Sequence, residues 1–246
     1  MRADGRDELA LRPVTITPGT LLHPAGSATV TFGRTTVLCA VSVEERVPPF
    51  LMGKGTGWLT AEYSLLPGST TTRAARERGG KLPSGRTLEI QRLIGRSLRM
   101  ALDMRALGAR TLTIDCDVVQ ADGGTRTAAV TGAWVALAQA LATLQSRGTL
   151  AKSPLVGQVA AVSVGVVKDR VLLDLDYAED SSAEVDMNVV MTATGELIEV
   201  QGTAESRPFG RGAMNGMLDA AEAGIRQLLA LQSAAISGFA HAKIPG

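Results

Sequence analysis

The chain has 246 residues, is 45% hydrophobic and 20% charged, and carries a formal net charge of only +1. That length buries a sizeable core as one large domain or two small ones, and the near-neutral balance excludes a coat held on nucleic acid by its overall field, so any polyanion must be gripped by local clusters. The N-terminal Met-Arg-Ala-Asp-Gly-Arg-Asp-Glu lacks a signal peptide's apolar stretch, and without a run of about 18 apolar residues no membrane span or membrane partner is expected, which leaves the cytoplasm as the expected location.

In chain order, β-branched residues bounded by Gly or Pro predict strands over Val14–Thr17, Ser27–Phe32, Thr36–Glu44 and Gly57–Leu65. From Pro67 to Gly85 periodicity vanishes. Arg73, Arg76, Arg78 and Lys81 crowd this stretch and Arg86 ends it, with Glu77 its only acid. Loops of this length inside compact domains are usually functional or disordered. A helix follows over Thr87–Leu107, with Ile90, Ile94, Ser97, Ala101 and Met104 on its apolar stripe. Arg92, Arg96 and Arg99 trace a second face; a solvated face, a subunit contact and a phosphate-attracting field all fit it. Thr111–Val119 reads as a buried strand, and Ala128–Leu144 as an Ala-rich helix packed on most sides.

After the polar connector Arg147–Pro154, strands are predicted at Val159–Lys168, Val171–Tyr177, Glu184–Thr192 and Glu196–Thr203, then a helix from Gly212 to about Leu231. Strands followed by helices, twice, predict an α+β chain of two related halves, about 1–150 and 155–232. Residues 233–246 read as a small, polar tail with no assigned order.

Two segments carry chemistry. Gly123, Gly124 and Thr125 lead into the Ala-rich helix, and glycines let successive N–H groups converge on one anion. The helix N-terminus adds about half a positive charge. Thr125 adds a hydroxyl and Arg126 a guanidinium that can clamp two phosphate oxygens. A Gly turn with Thr as a plain cap is the alternative. Further on, Asp174, Asp176, Glu179, Asp180, Glu184 and Asp186 form a run of six acids without a base among them. Such a run repels itself unless a cation or basic group offsets it. Period-two alternation sets Glu184, Asp186 and Asn188 on one strand face, and Asp180 can fold back towards it from the preceding turn. Close carboxylates suit Mg²⁺ or Mn²⁺, although a solvated acidic hairpin also fits.

Cys39 and Cys116 sit in apolar strands and read as buried thiols. His23 and His241 are the only histidines and lie far from both motifs, which disfavours histidine acid–base chemistry and zinc. Aromatic content of 3% leaves few platforms for bases, so a nucleic acid would be held by its backbone.

Six stretches, in order, resemble the ribonuclease PH family of phosphate-dependent 3′→5′ exoribonucleases: Arg2–Arg6, Gly57–Pro67, Gly85–Arg96, Asp122–Ala128, Asp174–Asp180 and Asp186–Met191. The resemblance implies a ribosomal protein S5 domain 2-like fold of two βαβα-type halves and a hexamer built as a trimer of dimers. It implies that Arg86, Gly124, Thr125 and Arg126 hold inorganic phosphate as co-substrate, and that Asp180 and Asp186 serve catalysis and bind Mg²⁺ or Mn²⁺. It implies that Arg73 and Arg76 guide RNA, with the 3′ ends of tRNA precursors as substrate and a reverse, nucleotide-adding reaction. One departure is Gly68, where many relatives carry an arginine after Leu-Leu-Pro; its absence is expected to weaken RNA capture without touching the phosphate site. The rival readings are a non-catalytic ring subunit, a hydrolytic nuclease and a plain RNA-binding module.

Overall fold

A computed structural model describes residues 2–77 and 83–238; Arg78, Lys81 and His241 lie outside the described residues. The first half forms a five-stranded sheet in the order β1-β2-β3-β5-β4, from β1 (Val14–Pro18), β2 (Gly26–Phe32), β3 (Thr35–Glu44), β4 (Trp58–Leu65) and β5 (Thr111–Gln120). Neighbours are antiparallel except β4 and β5, a parallel pair. A parallel pair needs a crossover, here supplied by helices α1 (Gly85–Arg99) and α2 (Met104–Leu107). The second half is an antiparallel four-stranded sheet, β7-β6-β8-β9, from β6 (Val159–Val167), β7 (Arg170–Leu173), β8 (Val185–Thr192) and β9 (Leu197–Ala204). Each half ends in a long helix, α3 (Thr125–Ser146) and α5 (Arg211–Ile236).

Helix α3 joins the halves. It packs on β2 and β3 of one sheet and on β6 of the other, and its Thr131 hydroxyl donates to Ala161 O and accepts from Ala161 N. By length and hydropathy (1.4) it could cross a membrane, although the sequence led us to expect no such run; yet 83% of that window is buried against the sheets. Close approach explains the alanines and Gly26, where a Cβ would lie 2.2 Å from Ala136 O.

Three expectations are corrected. The helix expected over Thr87–Leu107 is two helices, because residues 101–103 pair with the connector between halves: Val156 N donates to Ala101 O and Asp103 N to Pro154 O. Asp103 then caps α2 through Arg105 N and Ala106 N. The strand expected over Val171–Tyr177 stops at Leu173, where Asp174 turns the chain with φ 54°, and a short helix α4 (Tyr177–Asp180) follows. Helix α5 runs past Ser233 to Ile236, since Gln232 and Ile236 are buried and Gln232 donates to Thr131 O and Val159 O.

Candidate active site

Helix α3 starts from Gly124, whose φ of 65°, after 76° at Gly123, is the left-handed backbone that glycine adopts freely. Thr125 is not the cap but the first helical residue. Its hydroxyl meets the buried Tyr63 hydroxyl at 2.8 Å, which fixes a rotor that would otherwise turn freely. The turn is held from behind. Arg12 Nη1 donates to Asp122 O (2.5 Å) and the Thr35 hydroxyl to Gly123 O (2.7 Å).

Two of the six acids, Asp174 and Glu179, are neutralised by arginines from the first twelve residues. Asp174, fully buried, accepts from Arg12 Nε (3.0 Å), Nη2 (2.7 Å) and backbone N (2.8 Å). Glu179 accepts from Arg2 Nε (2.8 Å) and Nη2 (2.6 Å), and Asp176 caps α4 in a reciprocal capping box with Glu179. Glu184 is drawn off to Arg207, so the face shared in sequence by Glu184, Asp186 and Asn188 divides: only Asp186 and Asn188 reach the site. Two acids of the run, Asp180 at the end of α4 and Asp186 on β8, therefore remain for chemistry.

These two meet the phosphate-site candidates in one cavity of about 410 Å³. Arg86, Gly124, Thr125 and Arg126 line it from the first half, and Asp180, Asp186, Asn188 and Ser163 from the second. Arg126 Nη1 is 3.1 Å from Gln201 Oε1 and 3.3 Å from Glu89, while Arg86, in the first turn of α1, is exposed. Burial, and then the charge of Asp180, push the Asp186 carboxyl up to about 6, against the pull of Arg126 and Arg86. Burial also raises Asp180, which the two arginines partly counter. Asp186 Oδ1 is buried without a hydrogen-bond partner among the described residues. An orphaned carboxylate oxygen next to a second carboxylate fits a hard divalent ion. No group of three or more His, Cys, Asp or Glu suited to a metal occurs among the described residues, so the ion would keep several waters or substrate oxygens, as Mg²⁺ does.

Arg73 and Arg76 lie on the loop, exposed and apart from the cavity wall, to which that loop contributes Thr70, Thr71 and Thr72. Glu77 ties the loop to α1, accepting from Ser84 N and the Thr87 hydroxyl. On α1, Arg99 stacks 4.7 Å from the Trp58 ring. Cys39 and Cys116 are buried and free. Sequence reasoning missed Arg12, Thr35, Tyr63 and Tyr177. Both tyrosines of the chain stand here: Tyr63 behind Thr125, and Tyr177, 62% exposed, on the cavity wall. Their scarcity was the available signal; for Arg12 and Thr35 there was none.

Known proteins resemble this chain in sequence and in fold. Residues 10–142 match domain 1, and residues 157–224 domain 2, of the 3′ exoribonuclease family. Ribonuclease PH of Moorella thermoacetica is 57% identical over 240 residues, covering 98% of this chain and 96% of its own. Among solved structures, rice (Oryza sativa) Rrp46 superposes with a TM-score of 0.76 at 20% identity, covering 94% of this chain and 98% of its own. The Archaeoglobus fulgidus exosome with RNA bound to the active site gives 0.76 at 20% identity, covering 93% and 91%. At that identity the structural likeness is one of fold.

Proposed function

The chain belongs to the 3′ exoribonuclease family, and from that premise we propose how its cavity acts on RNA. The enzyme is a phosphorolytic nucleotidyltransferase: inorganic phosphate, not water, removes the 3′-terminal nucleotide of RNA. The observation that carries the assignment of residues is the single cavity in which Arg86, Thr125 and Arg126 face Asp180 and Asp186.

Phosphate is held by Arg86, Arg126, the Thr125 hydroxyl and the Gly124 amide, and is aimed in line at the terminal phosphorus. A phosphate oxygen bonds to that phosphorus as its bond to the preceding O3′ breaks. The nucleotide leaves as a nucleoside 5′-diphosphate, and the departing O3′ takes the proton that hydrogen phosphate gives up, so the shortened RNA gains a free 3′-hydroxyl. Bringing two anions together is the physical difficulty, so positioning and fixed positive charge supply most of the catalysis. Asp180 and Asp186 would hold Mg²⁺ or Mn²⁺, which when bound offsets charge on the scissile phosphate. The reverse reaction adds nucleotides from diphosphates.

Arg73 and Arg76 guide the incoming strand, an assignment supported by their exposure on the loop whose Thr70, Thr71 and Thr72 line the cavity. The family resemblance supports tRNA precursors as substrate, a cytoplasmic setting and a hexamer built as a trimer of dimers. Exposed side chains such as Leu22 and Met52 give such an assembly apolar area to cover.

The test is product analysis with a short RNA labelled in its 3′-terminal nucleotide, with Mg²⁺, with and without phosphate. Diphosphate released only with phosphate supports the assignment. Monophosphate released regardless would mean a hydrolase and overturn it, and binding without release would mean a non-catalytic subunit.

A further inference from the structure

We propose that Arg12 and Thr35 are positioning residues that aim the Gly124 amide at phosphate; the proposal rests on the phosphate site described above. Two consecutive glycines with positive φ give the turn a wide choice of unfolded and alternative conformations, so something outside the turn must fix it. In a planar trans peptide the N–H points opposite to the C=O. Fixing the carbonyls of Asp122 and Gly123 therefore fixes the amides of Gly123 and Gly124. Both carbonyls are held by side chains that do not line the cavity. Asp122 O accepts from Arg12 Nη1 at 2.5 Å. Gly123 O accepts from the Thr35 hydroxyl at 2.7 Å, with Arg12 Nη2 at 3.4 Å. The Thr35 oxygen in turn accepts from Asp122 N at 2.9 Å, so one hydroxyl brackets the turn.

Arg12 is itself immobilised. Its guanidinium forms a forked pair with Asp174, the residue that begins the arm carrying Asp180, and both side chains are almost completely buried. One arginine thus sets the anion turn of the first half against the acid arm of the second. Neither Arg12 nor Thr35 lines the cavity, so each acts through the backbone it holds.

The experiment is steady-state phosphorolysis by Thr35→Val and Arg12→Lys, with Arg126→Ala in parallel, varying phosphate at saturating RNA and RNA at saturating phosphate. Thr35→Val keeps shape but loses both bonds of the hydroxyl. Arg12→Lys keeps a charge opposite Asp174 but cannot reach both partners. Each should raise KM for phosphate by about five- to tenfold, the scale of one lost buried hydrogen bond, with kcat and the KM for RNA little changed. A merely structural role would lower the active fraction, reducing kcat without moving KM for phosphate, and that result in both variants overturns the proposal. If Arg126→Ala alone raises KM for phosphate, the site is correctly assigned and the positioning role fails. If even Arg126→Ala leaves it unmoved, the phosphate site is elsewhere and the proposal falls with it.

Discussion

At the scale of single residues, the cavity stores an electrostatic conflict. Asp186 is pushed up to about 6 by burial and by Asp180. Its ionised form is therefore disfavoured in the fold, and the cost is complete above about pH 6, diminishing as pH falls towards the ordinary value near 4. Asp186→Asn should abolish activity yet raise stability at pH 7.5 by about 1 kcal/mol, roughly 2–4 °C in melting temperature, and the gain should shrink between pH 6 and pH 4. Thermal melts of both proteins across that range decide it; a destabilised variant at neutral pH would count against the conflict. On the other wall, Arg126→Ala should slow phosphorolysis by about 10²–10³-fold, as for loss of a charge-stabilising donor. Near-normal rates at subsaturating phosphate would remove Arg126 from the site.

At the scale of elements, the site depends on how closely two backbones approach. The turn before α3 lies against the start of α4, so that a Cβ at Gly123 would stand 2.6 Å from Leu175 O and from the Asp176 carbonyl carbon. Those are backbone atoms and cannot swing away. Gly123→Ala combines that clash with a strained φ of 76°, and should destabilise by about 2–4 kcal/mol and depress phosphorolysis even in the folded fraction. Denaturant unfolding and the rate per folded molecule give the two readings. An active, fully stable alanine variant would show that the turn and α4 move apart easily. Much of this element scale was legible beforehand. Alternation and β-branching marked the strands, and the Gly-Gly-Thr-Arg run marked the helix start. The interruption after Arg99 was not legible, because the periodic apolar stripe continues to Met104 while the break is made by partners near residue 155.

At the scale of the whole molecule, the N-terminal segment binds the acid arm to the rest of the fold. Arg2 and Arg6 flank Glu179, and Arg12 grips Asp174. Burial pushes the Glu179 carboxyl up, but the bonds from Arg2 and the Asp176 amide, with the charges of Arg2 and Arg6, outweigh it and hold the carboxyl below its usual value. A carboxyl lowered in the fold contributes stability that is complete above its unfolded value and is lost as pH falls through the folded one. Arg2→Ala should therefore cost stability at neutral pH and flatten the loss of stability below about pH 4.5, as urea titrations at several pH values would detect. An unchanged acid limb would show that the pair contributes nothing. Breaking the buried pair with Arg12→Ala should cost more, about 3–5 kcal/mol, because Asp174 would be left fully buried with only Arg6, 3.8 Å away, to offset its charge.

By itself, the sequence determined the succession of strands and helices, the two-part organisation and the two segments whose residues line the cavity, since each is written in neighbouring residues as a period or a run. It also posed the problem of six adjacent acids without indicating which were spoken for. Only the tertiary structure decided that Asp174 and Glu179 are consumed by arginines more than 160 residues away, that Glu184 turns to Arg207, and that Asp180 and Asp186 remain beside Arg86 and Arg126. The reason is physical. Local periodicity is set by backbone geometry within a few residues, whereas the partner of a buried charge is set by which surfaces the core brings together, and that depends on packing across the whole chain.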